Sequence, residues 1–426
     1  MSESFLHYIW QCQYFARTDL RTTNGDALTI FHPGVRNTHA GPDFPQARLQ
    51  IDTMEWVGSV EIHILASQWV DHRHDTDPAY DNVVLHVVWK NDRPVLRSDG
   101  SVMPTLELYG RIDETLIANY KILVNSPWLI PCVEQFVQVP PIIKVDMIEK
   151  ATSIRLERKT QTILEMLKSN NHDWEETCYQ LLARNFGFRV NAEPFLMLAR
   201  TVPLKILLKH ADKLLQIEAF LFGHAGFLDD MKGNDDYVNR LIREYELLFN
   251  KYKVSRARLS KAQWRFLRLR PANFPTIRLA QFCVLIHTHR QLFSKLITAT
   301  SANQLVELFS LQQSPYWKEH YHFMKKGKGE MPSMGLESIY MIIINTVVPL
   351  MVAYGKQRDD QEMIDRAFMM LQEMPVESNT IIRQWRKFGM SAVTGFDSQG
   401  LIEMHDHFCV KHRCLDCSIG AYILKP

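Results

Sequence analysis

The chain has 426 residues, of which 46% are hydrophobic and 23% are charged, and its formal net charge is +2. This balance is typical of a globular protein and excludes a disordered or fibrous chain. The length exceeds that of one usual domain, so we predict two large domains. The N-terminus lacks a basic segment followed by an apolar stretch, and no apolar run of membrane-spanning length stands out. These features predict a cytoplasmic protein without membrane contact.

The first part of the chain has the pattern of a helix followed by strands. Residues 4–15 have the spacing of an amphipathic helix. Alternating or β-branched residues then predict strands, and a helical stretch follows them at about 111–124. The five strands are predicted at 27–31, 46–51, 57–64, 82–89 and 104–109. This order predicts an α+β domain with a mixed sheet over residues 1–135.

The remainder of the chain has a different pattern. The proline-bounded segment 127–141 predicts a linker, because proline interrupts helices. From residue 144 to about residue 397, apolar residues recur with the helical period, which is typical of helices packed on a core. We therefore predict an all-α domain over residues 142–426.

Charge is distributed unevenly along the chain. Residues 1–130 hold 10 Lys+Arg against 16 Asp+Glu, whereas the remaining residues hold 39 against 31. The segment 251–278 has nine basic residues and no acid, a stripe that attracts phosphate backbones. A solvated helix face, or contacts with the acidic N-terminal domain, would explain the same stripe. The nucleic-acid-binding candidates in it are Arg265, Arg268, Arg270 and Arg278.

Two prolines shape the end of this stripe. Pro271 and Pro275 interrupt the helical pattern and leave arginines around a turn that contains Asn273 and Phe274. Such a turn can hold a phosphate or a carboxylate. Structural use of the arginines, in bonds to helix C-termini or to carboxylates of the first domain, is an equal alternative.

The strand-like region from 41 to 88 carries the densest set of ionisable side chains. Six of the 17 histidines lie between His32 and His86, and several adjoin acids, which suits metal binding or proton transfer. His72 and His74 lie in a predicted loop, where histidines serve as metal ligands or phosphate contacts. His86 lies in an apolar strand, where a hydrogen-bonded core histidine is more usual than a ligand.

Two strands of this region predict a hairpin with its turn at 52–55. That register places Asp43 opposite His63 or its neighbour. Glu61 shares a face with His63 because the two are two residues apart, and the opposite face of the strand is expected to be buried. Three metal-capable side chains then converge at one end of the hairpin. The alternative is an ordinary solvent-exposed face, where acids at this spacing are common.

The C-terminus contains a second group of metal-capable residues. Cys409, Cys414 and Cys417 have the spacing C-x4-C-x2-C, and the odd total of seven cysteines predicts reduced thiols. A zinc ion or an iron–sulfur cluster usually takes four ligands, and we choose Cys132 as the fourth. The competing fourth ligands are His405, His407 and His412. The alternative is that the three C-terminal thiols are unrelated.

Pro42 and Asp43, followed by Glu61 and His63, resemble the motif of the restriction-endonuclease-like nucleases, which is Pro-Asp, then Asp or Glu, any residue and Lys. In this chain histidine stands in place of the lysine. The resemblance implies that Asp43 and Glu61 bind Mg²⁺ or Mn²⁺, and that the metal activates water for phosphodiester hydrolysis. An imidazole ligand shifts the preference from Mg²⁺ towards Mn²⁺ or Zn²⁺. Some nucleases of this broad superfamily also hold an iron–sulfur cluster through one upstream and three C-terminal cysteines.

Further motifs span nearly the whole chain. They are GPDF (41–44), VEIH (60–63), DPAYDNVVLHVV (77–88), IEAFLFGHAGFL (217–228), WRFLRLRPANFPTIRLAQ (264–281), INTVVPL (344–350) and RCLDCSIG (413–420). Together they resemble a bacterial family described as domain of unknown function 2851. The resemblance implies that these segments belong to one architecture, and it supplies no activity.

These observations predict a metal-dependent nuclease in which two carboxylates bind the metal, one histidine replaces the lysine and other histidines assist. The candidate catalytic residues are Asp43, Glu61, His63, His72, His74 and His86. The first alternative is a non-catalytic module that binds nucleic acid or protein through a nuclease-like core. The second is a hydrolase that acts on a small molecule through a histidine-rich metal centre. No Gly-rich phosphate loop, G-x-S-x-G or H-E-x-x-H motif supports another common chemistry.

Overall fold

The chain forms two compact units, here described by a computed structural model that covers residues 1–229, 231, 235–254 and 258–425. The first unit contains Met1–Met147 together with the C-terminal segment from Met404 onwards. The second unit contains Ile148–Glu403. The sequence-based boundary left the C-terminal segment with the helical domain, whereas the structure groups it with the first unit.

The first unit opens with helix α1, Glu3–Cys12. The hydroxyl of Ser2 accepts a hydrogen bond from the Phe5 amide at 3.3 Å, which satisfies one of the amide groups that a helix start leaves unpaired. The helix ends at Gln13, which adopts a left-handed conformation with φ of 55°. Its buried side chains are Phe5, Leu6, Tyr8, Ile9 and Trp10. The amphipathic helix predicted at 4–15 is thus present, with slightly different ends.

A five-stranded sheet follows, with its strands in the order β1-β2-β3-β4-β5. Strands β1, β2 and β3 are antiparallel neighbours, and β3, β4 and β5 are parallel neighbours, so the predicted mixed sheet is confirmed. Short helix α2 connects the parallel strands β3 and β4, and α3 follows β5. In chain order the elements are β1 (Leu28–His32), β2 (Phe44–Ile51), β3 (Met54–Leu65), α2 (Gln68–Asp71), β4 (Val83–Lys90), β5 (Thr105–Glu107) and α3 (Glu114–Val124).

The β2–β3 register differs from the predicted one. Ile51 pairs with Met54, so the turn is shorter than the 52–55 segment implied. A bulge then shifts the pairing, and Phe44 lies opposite Val60. Gln46, inside the bulge, has a positive φ of 62°. Bulge and turn together bring Asp43 beside Glu61 and Ile62, the residue before His63, rather than opposite His63 itself.

The second unit is mostly helical, as predicted, and adds one small hairpin that the sequence pattern did not indicate. Its first helix begins before the unit boundary and continues into the unit. The helices are α4 (Pro141–Ser169), α5 (Trp174–Phe186), α6 (Ala192–Thr201), α7 (Leu204–Leu208), α8 (Leu214–His224), α9 (Asp236–Tyr252), α10 (Pro275–Thr288), α11 (Leu292–Thr298), α12 (Ala302–Phe309), α13 (Pro315–Glu319), α14 (Leu336–Ile342), α15 (Val348–Arg358), α16 (Gln361–Glu373), α17 (Thr380–Lys387) and α18 (Gly395–Glu403). The hairpin consists of β6 (His320–His322) and β7 (Lys325–Lys326).

One helical stretch among the described residues, Leu336–Arg358, is long and apolar enough to cross a membrane by length and composition alone. An apolar window of 18 residues within it has a mean hydropathy of 1.8, and 67% of that window is buried inside the protein. It joins α14 and α15 through a π-helical stretch, Ile343–Val347. Burial of this degree is what a core helix shows, and the cytoplasmic location stays a prediction.

The C-terminal segment contains a π-helical stretch, a 3₁₀ turn and helix α19. Their bounds are Met404–Cys409, Cys414–Asp416 and Ser418–Leu424. The Tyr8 hydroxyl donates a hydrogen bond to the Ala421 carbonyl at 3.5 Å, and the Asn119 amide nitrogen donates to the Ile423 carbonyl at 3.4 Å. These bonds to α1 and α3 explain why the segment belongs to the first unit.

Gly420 is a test of how tightly this segment packs. A Cβ atom added there would lie 2.1 Å from the Cys414 carbonyl oxygen, a backbone atom that cannot rotate away. We expect Gly420→Ala to lower the free energy of unfolding by about 2 kcal/mol, the usual cost of overpacking. Urea unfolding measures this change, with Gly329→Ala as control because that added Cβ meets no atom within 4 Å. Equal unfolding midpoints in the two variants would contradict the packing described here.

Candidate active site

The two predicted metal-binding carboxylates lie side by side where β2 and β3 meet. The Asp43 amide donates a hydrogen bond to Glu61 Oε2 at 3.0 Å, and the Ile62 amide donates one to Asp43 Oδ2 at 3.0 Å. His7 Nε2 lies 3.1 Å from Asp43 Oδ2, within ion-pair distance but without hydrogen-bond alignment. The backbone thus fixes both carboxylates in one place, as a preformed metal site requires.

Helix α1 adds two residues that the sequence analysis missed. The ligand atoms of Glu3, His7 and Asp43 all lie within 4.8 Å of one another. Glu3 and His7 are four residues apart, so they share one side of the helix. That spacing, next to the apolar face of an amphipathic helix, was the only signal in the sequence. It did not indicate which strand the helix would face.

The histidines form a second group next to the carboxylates. His63 Nδ1 lies 2.9 Å from His86 Nε2, and His63 Nε2 lies 3.1 Å from His72 Nδ1. The ligand atoms of His63, His72 and His74 all lie within 4.8 Å of one another. Glu61 Oε1 lies 3.4 Å from His74 Nε2 and 3.8 Å from His63 Nε2. Glu61 therefore adjoins both groups.

The turn that carries His72 and His74 is held by aromatic packing. Trp69, on α2, is 1% exposed and belongs to a buried apolar cluster with Val83 and Val88. The Tyr80 ring stacks on the His74 ring with centroids 3.7 Å apart. His72 ends α2 and is exposed, whereas His74 is buried, so the predicted loop starts with a short helix and presents its two histidines differently.

Burial changes the protonation of this site. Glu61 is 5% exposed, and burial, helped by Asp43 and Glu3, raises its pKa to about 8. His63 is fully buried, and burial followed by the neighbouring histidines lowers its pKa to about 2. Burial, and then His74, lowers the pKa of His86 to about 3. The face of β3 opposite Glu61 and His63 is buried at Val60 and Ile62, as predicted, and the Glu61 and His63 side chains are buried as well. The imidazoles of His63 and His86 are therefore neutral at pH 7, and the neutral imidazole is the form that binds metals.

Four buried polar atoms at this site have no hydrogen-bond partner among the described residues. They are His7 Nε2, His74 Nδ1, His86 Nδ1 and Trp69 Nε1. Buried polar groups are nearly always satisfied, and each exception needs an explanation. A bound ligand or water would supply the missing partners.

Comparison with known proteins gives one result. A family model described as Protein of unknown function (DUF2851) matches residues 3–380. The chain belongs to the DUF2851 family. The DUF2851 match includes the candidate active site and ends before the C-terminal cysteines. No curated protein and no solved structure matches the chain.

In this DUF2851 protein the four cysteines of the predicted second metal site all lie in the first unit. Cys132, Cys409, Cys414 and Cys417 are each buried, with 8 to 9% of their surface exposed. Burial raises the pKa of the Cys409 thiol, and the other three cysteines raise it further. His412, one of the competing ligands, is exposed.

Of the four arginines predicted to bind nucleic acid, three are exposed in this DUF2851 protein and one is buried. Arg265, Arg268 and Arg270 are exposed, as nucleic-acid contacts would require. Arg278 is only 5% exposed, so its guanidinium does not lie on that surface. Helix α10 begins at Pro275, and the buried guanidinium of Arg278, in its first turn, donates a hydrogen bond to Asn273 Oδ1 of the expected turn. Part of the basic segment, residues 255–257, lies outside the described residues.

Proposed function

We propose that the first unit is a metal-dependent nuclease that hydrolyses phosphodiester bonds. The observation that carries this proposal is the contact between Asp43 and Glu61, with His63 two residues after Glu61 on the same strand. The order of elements supports it: a helix, three antiparallel strands, a short helix and a parallel strand. This is the helix-then-strands order of the restriction-endonuclease-like nucleases that the sequence motif resembles.

The residues present fit a divalent metal. Asp43 supplies carboxylate oxygens, which Mg²⁺ and Mn²⁺ prefer, the ligand atoms of Glu3 and His7 lie within 4.8 Å of it, and the Glu61 carboxylate accepts a hydrogen bond from the Asp43 amide. Burial raises the pKa of Glu61 to about 8, and a cation beside this carboxylate would stabilise its ionised form. The ion would activate water and stabilise the charge that develops on the phosphate. His63 and His74 next to Glu61 shift the expected preference towards Mn²⁺ or Zn²⁺.

His63 stands where the related motif has lysine, and its contacts suit proton transfer. It bonds to buried His86 on one side and to exposed His72 on the other. Its neutral imidazole accepts a proton at one nitrogen while the other donates. The three rings thus connect the buried carboxylates to solvent and allow a proton to leave the site.

A second candidate function is hydrolysis of a small molecule at a histidine-rich metal centre. The observation that favours it is the cluster of His63, His72 and His74, whose ligand atoms lie within 4.8 Å of one another. Three imidazoles with a neighbouring carboxylate form a donor set that suits zinc in catalytic sites. This candidate predicts retention of Zn²⁺ without nucleic-acid binding.

The test is cleavage of single- and double-stranded DNA and RNA by the purified full chain with Mg²⁺, Mn²⁺ or Zn²⁺. Asp43→Ala and Glu61→Ala are compared with Glu55→Ala, an exposed glutamate on the same strand. Metal-dependent cutting that only the first two variants lose supports the nuclease. Salt-sensitive binding without cutting would instead indicate a binding module. Neither cutting nor binding would favour the small-molecule hydrolase.

A further inference from the structure

The C-terminal cysteines flank a tight turn in the first unit. Cys409 ends the π-helical stretch, and the Cys417 amide donates a hydrogen bond to the Cys414 carbonyl at 3.3 Å. Between Cys409 and Cys414, the residue His412 adopts a left-handed backbone with φ of 51°. The added Cβ at Gly420 would meet the same Cys414 carbonyl, so helix α19 packs directly on this turn. The turn therefore holds Cys414 and Cys417 rigidly.

Cys132 comes from a distant part of the sequence, in a segment that lies next to α19, since Gln135 and Gln138 line one cavity together with Tyr422 and Ile423. Burial raises the pKa of its thiol to about 12, and Cys417 and Cys414 contribute to that rise. Burial also raises the pKa of Cys414 to about 12, with Cys417 as the next cause. None of the four forms a disulfide.

We propose that Cys132, Cys409, Cys414 and Cys417 bind one metal centre through four thiolates, either a zinc ion or an iron–sulfur cluster. Four thiolates complete the coordination of either centre. Binding releases the four thiol protons to solvent. The centre would tie the C-terminal segment to the first unit, in addition to the bonds from Tyr8 and Asn119. This inference is independent of the proposed nuclease activity.

Metal analysis of the full chain purified without oxygen tests this proposal. We expect one bound centre per chain: zinc with no colour, or iron and sulfide with visible absorption. Cys132→Ser and Cys417→Ser should lose at least nine tenths of that metal. Cys12→Ser is the matched control, a partly exposed cysteine of the same unit.

Two outcomes would overturn the cysteine centre. One is a purified chain with no bound metal that also takes up neither Zn²⁺ nor, as a spectroscopic probe, Co²⁺ when these are added to the reduced protein. The other is full metal content in Cys132→Ser. Circular dichroism of each variant separates loss of a ligand from loss of the fold, and Co²⁺ charge-transfer bands report thiolate ligation directly.

A different observation in the second unit carries an independent proposal. Arg278 is 5% exposed, and among the residues that the structure describes its guanidinium donates hydrogen bonds only to uncharged groups. These are Gln281 Oε1 at 3.0 Å, Asn273 Oδ1 at 2.6 Å and Ser338 Oγ at 2.9 Å. Within the described ranges its Nε atom has no hydrogen-bond partner, and no carboxylate there forms an ion pair with the guanidinium. A buried guanidinium without an anion is costly, because buried charges are normally paired.

Arg278 lines a cavity of about 230 Å³ with mostly apolar walls. Its guanidinium lies 4.6 Å from the centre of the Phe188 ring. The other apolar walls include Phe186, Phe195, Leu269 and Pro275. A cationic group at one side of an apolar cavity is the arrangement that binds a small molecule with one anionic end.

We infer that this cavity binds a small apolar molecule that carries one oxyanion, with Arg278 as the contact to the anion. The oxyanion is a carboxylate or a phosphate, since a guanidinium binds either through paired hydrogen bonds. The phenylalanine side chains would contact the apolar part of the ligand. Titration calorimetry with benzoate, phenyl phosphate and inorganic phosphate distinguishes the two anions and the need for an apolar part.

We expect saturable binding of benzoate or phenyl phosphate and a loss of at least tenfold in affinity in Arg278→Gln. Arg268→Gln, an exposed arginine in the same segment, is the matched control. Because Arg278→Gln can also weaken the fold, the Arg278 Nε–H resonance of the wild-type protein is followed during each titration. A saturable change in the chemical shift of this resonance supports ligand binding in the cavity. The absence of both binding heat and a chemical-shift change with all three probes would overturn the proposal.

Discussion

Replacing Glu61 by glutamine is expected to lower the cleavage rate constant by at least about 100-fold, the usual cost of losing one preorganised electrostatic group. Glutamine keeps the size of the side chain and an oxygen that accepts the Asp43 amide hydrogen bond, now 3.0 Å long. It removes only the negative charge that would hold a cation between the carboxylates and the histidines. Asp43→Asn should act in the same way, because the Ile62 amide still has an oxygen to bond.

Single-turnover cleavage with Mn²⁺ measures this change, and calorimetry of Mn²⁺ binding shows whether the metal is lost with the rate. Glu55→Gln is the matched control, since Glu55 lies on the same strand but is exposed beside Arg48. Unchanged metal affinity with a lower rate would leave Glu61 with a role other than metal binding. Retention of more than a tenth of the wild-type rate in both carboxylate variants would contradict the proposed site.

Replacing Glu218 by glutamine is expected to stabilise the second unit increasingly as the pH rises. Glu218, on α8, is 1% exposed, and burial raises its pKa to about 7, partly offset by hydrogen bonds from Ser314 and Tyr237. Its pKa in the unfolded chain is near the ordinary 4.5. The folded state therefore binds the proton more tightly than the unfolded state, so wild-type stability is complete below about pH 4.5 and falls as the pH rises through 7.

The expected size of this effect is about 3 kcal/mol, because a difference of one pKa unit corresponds to 1.36 kcal/mol. Glutamine does not titrate, so the stability of Glu218→Gln relative to wild type should rise between pH 5 and 8 and then level off. Urea unfolding at several pH values measures it. Glu246→Gln, an exposed position in the same unit, controls for the loss of one negative charge. A stability difference that does not change with pH would show that Glu218 is not a buried titrating group.

Local patterns predicted much of the first unit. The strands expected at 46–51 and 82–89 appear at Phe44–Ile51 and Val83–Lys90, because alternation and β-branched residues reflect the periodicity of a strand directly. The grouping of histidines and acids near residue 61 likewise followed from strand periodicity, since residues two apart share a face. The second unit was recognised as helical for the same kind of reason. Its small hairpin was not, since two short strands leave little periodic signal.

Other features depended on contacts between distant segments. The bulge at Gln46 requires a left-handed backbone that its sequence does not demand, and together with the short turn it brings Asp43 beside Glu61. Glu3 and His7 joined the site only because α1 packs against the sheet next to Asp43. Arg278 belongs to a basic segment, yet the first turn of α10 carries it into a cavity, which the charge pattern could not show.

The sequence by itself determined the type of most elements in the first unit, the presence of two sets of metal-capable side chains and the helical character of the second unit. These follow from periodicity and side-chain chemistry, which act over a few residues. Only the tertiary structure decided that Asp43 contacts Glu61, that both faces of β3 are buried and that the C-terminal segment returns to the first unit. These contacts depend on which distant segments bury their apolar surfaces against one another, and no local sequence pattern encodes that.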